Sequence, residues 1–102
     1  MEGGASISPE ILASYAADAA REVRGVHGLF ESRLPRHHGV RVTSADGDGR
    51  ARVELHLVLS WGASAPEVGR AVQQRVGEYL ERMTGARPEA VDVVIDEIGP
   101  PS

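Results

Sequence analysis

The 102-residue sequence has no cysteine and no lysine, only four aromatic side chains (Tyr15, Phe30, Trp61 and Tyr79) and no long uninterrupted apolar run. Each absence removes a class of explanation. Without cysteine there is no disulfide framework, no thiolate nucleophile and no cysteine-based zinc site, a composition compatible with a reducing compartment. With so few aromatics in a chain that is 41% hydrophobic, the core has to be built from aliphatic side chains. The longest apolar-rich stretch, residues 55–65, is broken by His56, Ser60 and Ser64 and falls far short of the ~20 residues that span a bilayer. Direct membrane insertion is therefore not expected. The opening Met1-Glu2-Gly3-Gly4 lacks the basic start and apolar stretch of a signal peptide, so the expected location is the cytoplasm. A formal net charge of -4 and a pI near 5.5 are the opposite of the basic face that holds phosphates, so nucleic acid is not the expected partner. All eleven basic residues are arginine, which supplies permanently charged, forked donors suited to carboxylates.

A chain of this length forms one domain that buries roughly 60–70% of its unfolded surface. Ser8 is a good helix N-cap, Pro9 sits where its missing N–H costs nothing, and Glu10 favours the positive end of the helix dipole. Ile11, Leu12, Tyr15, Ala16, Ala19, Ala20 and Val23 then recur at spacings of three and four, so the first helix has one apolar stripe. Gly25 offers the left-handed residue that commonly ends a helix, and Val26 and Leu29 are expected to tuck beneath it. A polar loop follows, ending in His37 and His38. From Gly39 the pattern alternates, and Asp46-Gly47-Asp48-Gly49 carries the turn chemistry of a hairpin. The second strand of that hairpin places Val53, Leu55, Leu57, Leu59 and Trp61 on one face and Arg52, Glu54, His56 and Ser60 on the other.

Ser64-Ala65-Pro66-Glu67 matches a capping box. It opens a second helix whose apolar stripe is Val68, Ala71, Val72, Val76, Tyr79, Leu80 and Met83. Thr84-Gly85 stops it. Val91, Val93 and Ile95 alternate with Asp92, Val94 and Asp96 to give a last strand, closed by Gly99-Pro100-Pro101. The expected architecture is α+β in the order α-β-β-α-β: a three-stranded mixed sheet with both helices packed on one face. Residues 1–6 read as a flexible N-terminus, 7–98 as a single domain and 99–102 as a tail. The last two strands are joined through a helix, so they run parallel within one sheet, either adjacent or with the first strand between them.

These motifs in this order resemble the alkaline shock protein 23 family of Gram-positive bacteria. The shared elements are a Ser-Pro-Glu helix start, an alanine-rich helix body and the exit Glu22-Val23-Arg24-Gly25-Val26-His27-Gly28-Leu29. A Gly-Val-x-Val strand, a long aliphatic strand, a Pro-Glu-Val helix start, the Met83-Thr84-Gly85 exit and a valine-rich strand complete the pattern. The resemblance spans residues 7–98. It implies a non-enzymatic cytoplasmic protein without a cofactor, linked to cell-envelope stress. It also implies self-association and, as in better-known members, a position beneath the membrane through a separate anchor protein. The sequence differs from many members in having no lysine, a very short tail and the His37-His38 loop.

Sharper chemistry finds little support in the residues. Gly25-Val26-His27-Gly28 is formally the Gly-x-x-Gly of a KH domain, the alternative reading as a nucleic-acid-binding module, but a KH loop joins two helices and strand signals follow here instead. His37 and His38 with His27 and His56 lack any metal-ligand spacing. Asp46 and Asp48 lack the glutamate that closes an EF-hand. Glu54 and His56 share a strand face and are capable of proton transfer, but no nucleophile sits in a recognisable elbow, so no catalytic residue is assigned. What remains is a candidate interaction surface on the uncovered face of the sheet: Arg52, Glu54, His56, Val58, Asp92 and Val94. The expected partners are a second copy of the chain and a membrane-anchor protein. The competing reading is a monomer in which Arg41, Arg50 and Arg52 guard the sheet edge against pairing.

Overall fold

The computed structural model of the chain describes residues 7–30, 39–44 and 51–101. The expected N-terminal segment 1–6, the loop carrying His37 and His38, the Asp46 to Gly49 turn and Arg50 lie outside them. The elements are α1 (Pro9–Arg21), β1 (Val26–Leu29), β2 (Val40–Ser44), β3 (Ala51–Leu59), α2 (Ala65–Thr84) and β4 (Ala90–Ile98). The α+β class holds, with one strand more than expected, so the sheet has four strands instead of three.

Both helices start as their sequences dictate. The Ser8 hydroxyl accepts from the Ile11 N–H at 3.2 Å, and the Ser64 hydroxyl accepts from the Glu67 N–H at 3.4 Å, each satisfying an otherwise orphaned donor. α2 ends on Gly85, whose φ of 82° allows its N–H to reach back to the Glu81 carbonyl at 2.8 Å. α1 ends differently from expectation. Its C-cap is Glu22 in right-handed geometry, and Gly25, with φ 98°, instead closes a tight turn in which the Val26 N–H donates to the Val23 carbonyl at 3.2 Å. That turn launches β1. Positive φ costs a side-chain-bearing residue ~1–2 kcal/mol. A Cβ on Gly25 would also lie 2.5 Å from Val68 Cγ2 and 3.4 Å from the Ala63 Cβ, so the position demands glycine twice over.

β3 is the central strand. β4 runs parallel beside it along its whole length, from Arg52 opposite Ala90 to Leu59 opposite Ile98. The opposite edge of β3 is shared by two short antiparallel strands placed end to end. β2 pairs with its first half, from Ser44 opposite Ala51 to Val40 opposite Leu55, and β1 pairs with its second half, from Leu29 opposite Leu57 to Val26 opposite Leu59. The expected hairpin is thus β2–β3, and the last two strands run parallel as expected and lie as direct neighbours, an order the sequence leaves open. His27 is the extra residue of an irregularity in β1, between the pairs at Val26 and Gly28.

α1 packs on β1, β2 and β3, α2 packs on β4, and the helices pack on each other, so one face of the sheet is roofed. Val53, Leu55 and Leu57 are fully buried under that roof with Leu59 nearly so, each contributing ~1.5–3 kcal/mol if fully removed from water. Above them α1 presents Ala16, Ala17, Ala19 and Ala20, all buried, and α2 presents Val68, Val72, Val76 and Leu80. Tyr15 and Tyr79 meet edge to face with ring centroids 6.0 Å apart at 82°, where the helices touch. Four apolar residues leave the expected stripes: Ile11, Ala71 and Met83 are exposed, and Trp61, two residues past the end of β3, is 64% exposed instead of continuing the buried row.

Candidate functional site

The alternation that buries Val53, Leu55, Leu57 and Leu59 turns Arg52, Glu54, His56 and Val58 to the unroofed face. β4 adds Asp92 and Val94 beside them, since Glu54 pairs with Asp92 and His56 with Val94. These six residues therefore lie on one face. Arg52 is not an edge residue as anticipated; it lies on the central strand, and its guanidinium bridges to Asp92 at 3.5 Å and to Glu89 at 3.9 Å. These contacts are exposed and contribute at most ~1 kcal/mol each.

His56 is the hub of the face. Its Nε2 lies 2.6 Å from Glu54 Oε2 and its Nδ1 lies 2.5 Å from Asp96 Oδ2. Only the imidazolium has a proton on each nitrogen to serve both carboxylates. Accordingly the hydrogen bond to Glu54, opposed by partial burial and reinforced by the bond to Asp96 and by both negative charges, raises the His56 pKa above its ordinary 6.5. The same bond from His56, against a smaller opposing effect of burial and with help from the His56 and Arg41 charges, holds Glu54 below 4.5. The His56 backbone is equally committed: its N–H donates to the Gly39 carbonyl at 2.7 Å, and its carbonyl accepts from the Phe30 N–H at 2.8 Å.

A cleft of about 320 Å³ opens at this hub, lined by Phe30, Gly39, Val40, Arg41, Glu54, His56 and Asp96. Asp96, Arg41 and Phe30 are not among the surface residues that the sequence singles out. Asp96 is legible as part of an alternating strand, but its meeting with His56 depends on a register that only the fold supplies. The two imidazole nitrogens point to opposite carboxylates, so these three groups do not converge on one ion. Among the described residues no set of three or more His, Asp or Glu is placed to hold a metal. The cleft lining contains no serine, threonine or cysteine to act as a nucleophile. Gly25-Val26-His27-Gly28 runs from the turn into β1 and does not connect two helices, so it lacks the setting of a KH clamp.

Two further features mark the surface. Among the described residues no strand pairs with the outer edge of β4, although Gln73 Nε2 covers the Val91 carbonyl at 3.0 Å. Val94, Ile98 and Trp61 are exposed at 38%, 56% and 64%, the last two where the C-terminal ends of the parallel strands lie side by side. No helix among the described residues is long and apolar enough to cross a membrane.

Comparison with known proteins places this architecture. The chain is 28% identical to the uncharacterized protein Spy1614 of Streptococcus pyogenes serotype M6, over 95% of this chain and 88% of that protein. It is also 28% identical to the uncharacterized protein YqhY of Bacillus subtilis, over 91% of this chain and 75% of that protein. Among solved structures, a MamM CTD variant superposes with a TM-score of 0.67 at 19% identity, covering 91% of this chain and all of that one. A zinc form of another MamM CTD variant gives 0.66 at 19% identity, over 90% and 87% of the two chains. At that identity the likeness shows a shared fold. Residues 1–100 match the model of the alkaline shock protein 23 family, described as having a cell envelope-related function, in agreement with the motif order read from the sequence. With that match spanning nearly the whole chain and the ordered motifs pointing the same way, this chain belongs to the alkaline shock protein 23 family.

Proposed function

We propose that the chain is a non-catalytic assembly module of the cell envelope that docks other proteins, first of all a second copy of itself, through the open sheet face and the adjoining β4 edge. The observation that carries this reading is the one-sided roof. Both helices cover a single face, while the other presents Arg52, Glu54, His56, Val58, Asp92 and Val94 beside a nine-residue edge strand that has no strand on its outer side among the described residues. An open edge offers main-chain hydrogen bonds to an incoming strand, and the exposed Val94 supplies apolar area on the open face for a contact. The mixed charges of the face give such a contact register.

The family description supports an envelope setting, and we assign the link to the membrane to a partner protein that anchors the module from the cytoplasmic side. No observation favours the nucleic-acid alternative, since the net charge is -4.

Sedimentation velocity over a concentration series tests the proposal. Expected is reversible self-association that Val94→Arg and Val58→Arg each weaken, with circular dichroism unchanged because neither side chain lies among the buried core residues. A chain that stays strictly monomeric at high concentration and captures no envelope protein from a native lysate refutes it.

A further inference from the structure

The bridge at His56 is more elaborate than a solvated sheet face requires. In register, the β4 residue opposite His56 is Val94, and Asp96 occupies the extra position of an irregularity between the pairs Leu57 with Ile95 and Val58 with Glu97. A regular strand would carry Asp96 two residues along, ~6.6 Å from the His56 level. The bulge brings its carboxylate back onto the imidazole at 2.5 Å. Because the His56 backbone also holds Phe30, just past β1, and Gly39, just before β2, one residue ties together every strand of the sheet.

We propose that Glu54, His56 and Asp96 form a proton-operated latch across the open face, which clamps the bulged β4 edge to β3 and admits a second copy when the ring is doubly protonated, and releases both when it is not. The docking half rests on the reading of this face given above; the latch half does not. A neutral imidazole has one N–H and serves one carboxylate, leaving the other without its donor and facing a like charge across the ring. The charged groups around the ring among the described residues are Glu54 and Arg52 on β3, Arg41 on β2, and Asp92 and Asp96 on β4, with Glu97 further along beside Val58. With the imidazolium present, the two arginines and the ring balance Glu54, Asp92 and Asp96. Without it, one carboxylate at the centre of the face is uncompensated, and two copies meeting there repel. The raised His56 pKa places this change on the alkaline side of the ordinary histidine range.

The experiment has two arms, both on the full chain with His56→Gln and Asp96→Asn alongside. In the first, NMR follows the His56 ring and the hydrogen-exchange protection factors of β4. The His56 midpoint is expected above the ordinary 6.5 and to fall in Asp96→Asn. Protection around Asp96 is expected to drop as the ring deprotonates, with no such drop in His56→Gln. In the second, sedimentation velocity is repeated between about pH 6 and about pH 9, a range in which histidine is the side chain that changes charge. Self-association is expected to weaken about tenfold as His56 loses its proton, and to be insensitive in His56→Gln.

A His56 midpoint at or below the ordinary value, or β4 protection that ignores it, overturns the latch. Association with the same pH dependence in His56→Gln overturns its coupling to docking. A monomer at every pH, with the first arm as expected, overturns docking of a second copy on the face and leaves the latch standing.

Discussion

Gly25→Ala is the substitution that probes most directly why the loop after α1 has its sequence. Two separate costs act at this position. The backbone sits at φ 98°, where a Cβ costs ~1–2 kcal/mol. That Cβ would also stand 2.5 Å from Val68 Cγ2, inside any real carbon contact, and Val68 has little room to yield. It is buried and held in the first turn of α2, its N–H bonded to the Ser64 carbonyl at 2.9 Å. Forcing extra carbon into a packed site costs ~1–3 kcal/mol. Shifting Gly25 instead would strain the bond from the Ser60 N–H to its carbonyl at 2.8 Å. The expected loss is about 2–5 kcal/mol, a large part of the ~5–15 kcal/mol that holds a domain of this size together.

Gly85→Ala is the matched control, because Gly85 has φ 82° but open space where its Cβ would go. It carries only the backbone cost, about 1–2 kcal/mol. Urea unfolding of the two variants and the parent, read at constant slope, isolates the packing cost as the difference between them. Gly28→Ala completes the set: its Cβ meets nothing within 4 Å, so a much smaller loss is expected. Equal losses for Gly25→Ala and Gly85→Ala would refute the clash with Val68. Equal losses for Gly25→Ala and Gly28→Ala would refute the difference in backbone and space between the two positions.

Other outcomes follow from the same geometry. Leu55→Ala, at a fully buried position on the central strand, is expected to cost ~2–5 kcal/mol in chemical denaturation. Glu22→Ala, which removes the 3.0 Å bond from Arg75 between two side chains about half exposed, is expected to cost at most ~1 kcal/mol; a larger loss would mean that this pair pins α1 to α2. Thermal melts across pH should show a plateau bounded on both sides. The raised His56 pKa contributes stability that is complete below 6.5 and is lost as pH rises through the raised midpoint. The lowered Glu54 pKa contributes stability that is complete above 4.5 and is lost as pH falls through the lowered midpoint. His56→Gln should flatten the alkaline limb, and an unchanged limb would refute the assignment.

Most of the scaffold is legible in the sequence because its signals are local. The Ser-Pro-Glu and Ser-Ala-Pro-Glu starts, the three-and-four spacing of α1 and α2 and the strict alternation of β3 each need only neighbouring residues to be read. β1 escapes such reading because Val26-His27-Gly28-Leu29 is short, contains glycine and carries an irregular residue at His27, so no alternation announces it. Alternation continues past Leu59 and predicts Trp61 in the buried row, but the strand ends before it. Odd and even positions of two strands sort the residues of the open face from those of the core. They do not reveal its hub, since the meeting of Asp96 with His56 depends on parallel register and on a bulge, both set by how α2 returns the chain. Arg41 and Phe30 join the cleft for a similar reason: they sit on strands whose end-to-end placement leaves no local trace.

That end-to-end placement gathers two strand junctions onto one residue of the central strand. Phe30 and Gly39 are well separated in sequence, yet they bond to the two backbone groups of one histidine, so the ladder on this side of β3 closes over the interruption. Both rungs use only the main chain of that histidine, so they do not depend on its ring. A substitution at His56 therefore leaves the two neighbouring strands seated and cuts only the side-chain ties to Glu54 and Asp96.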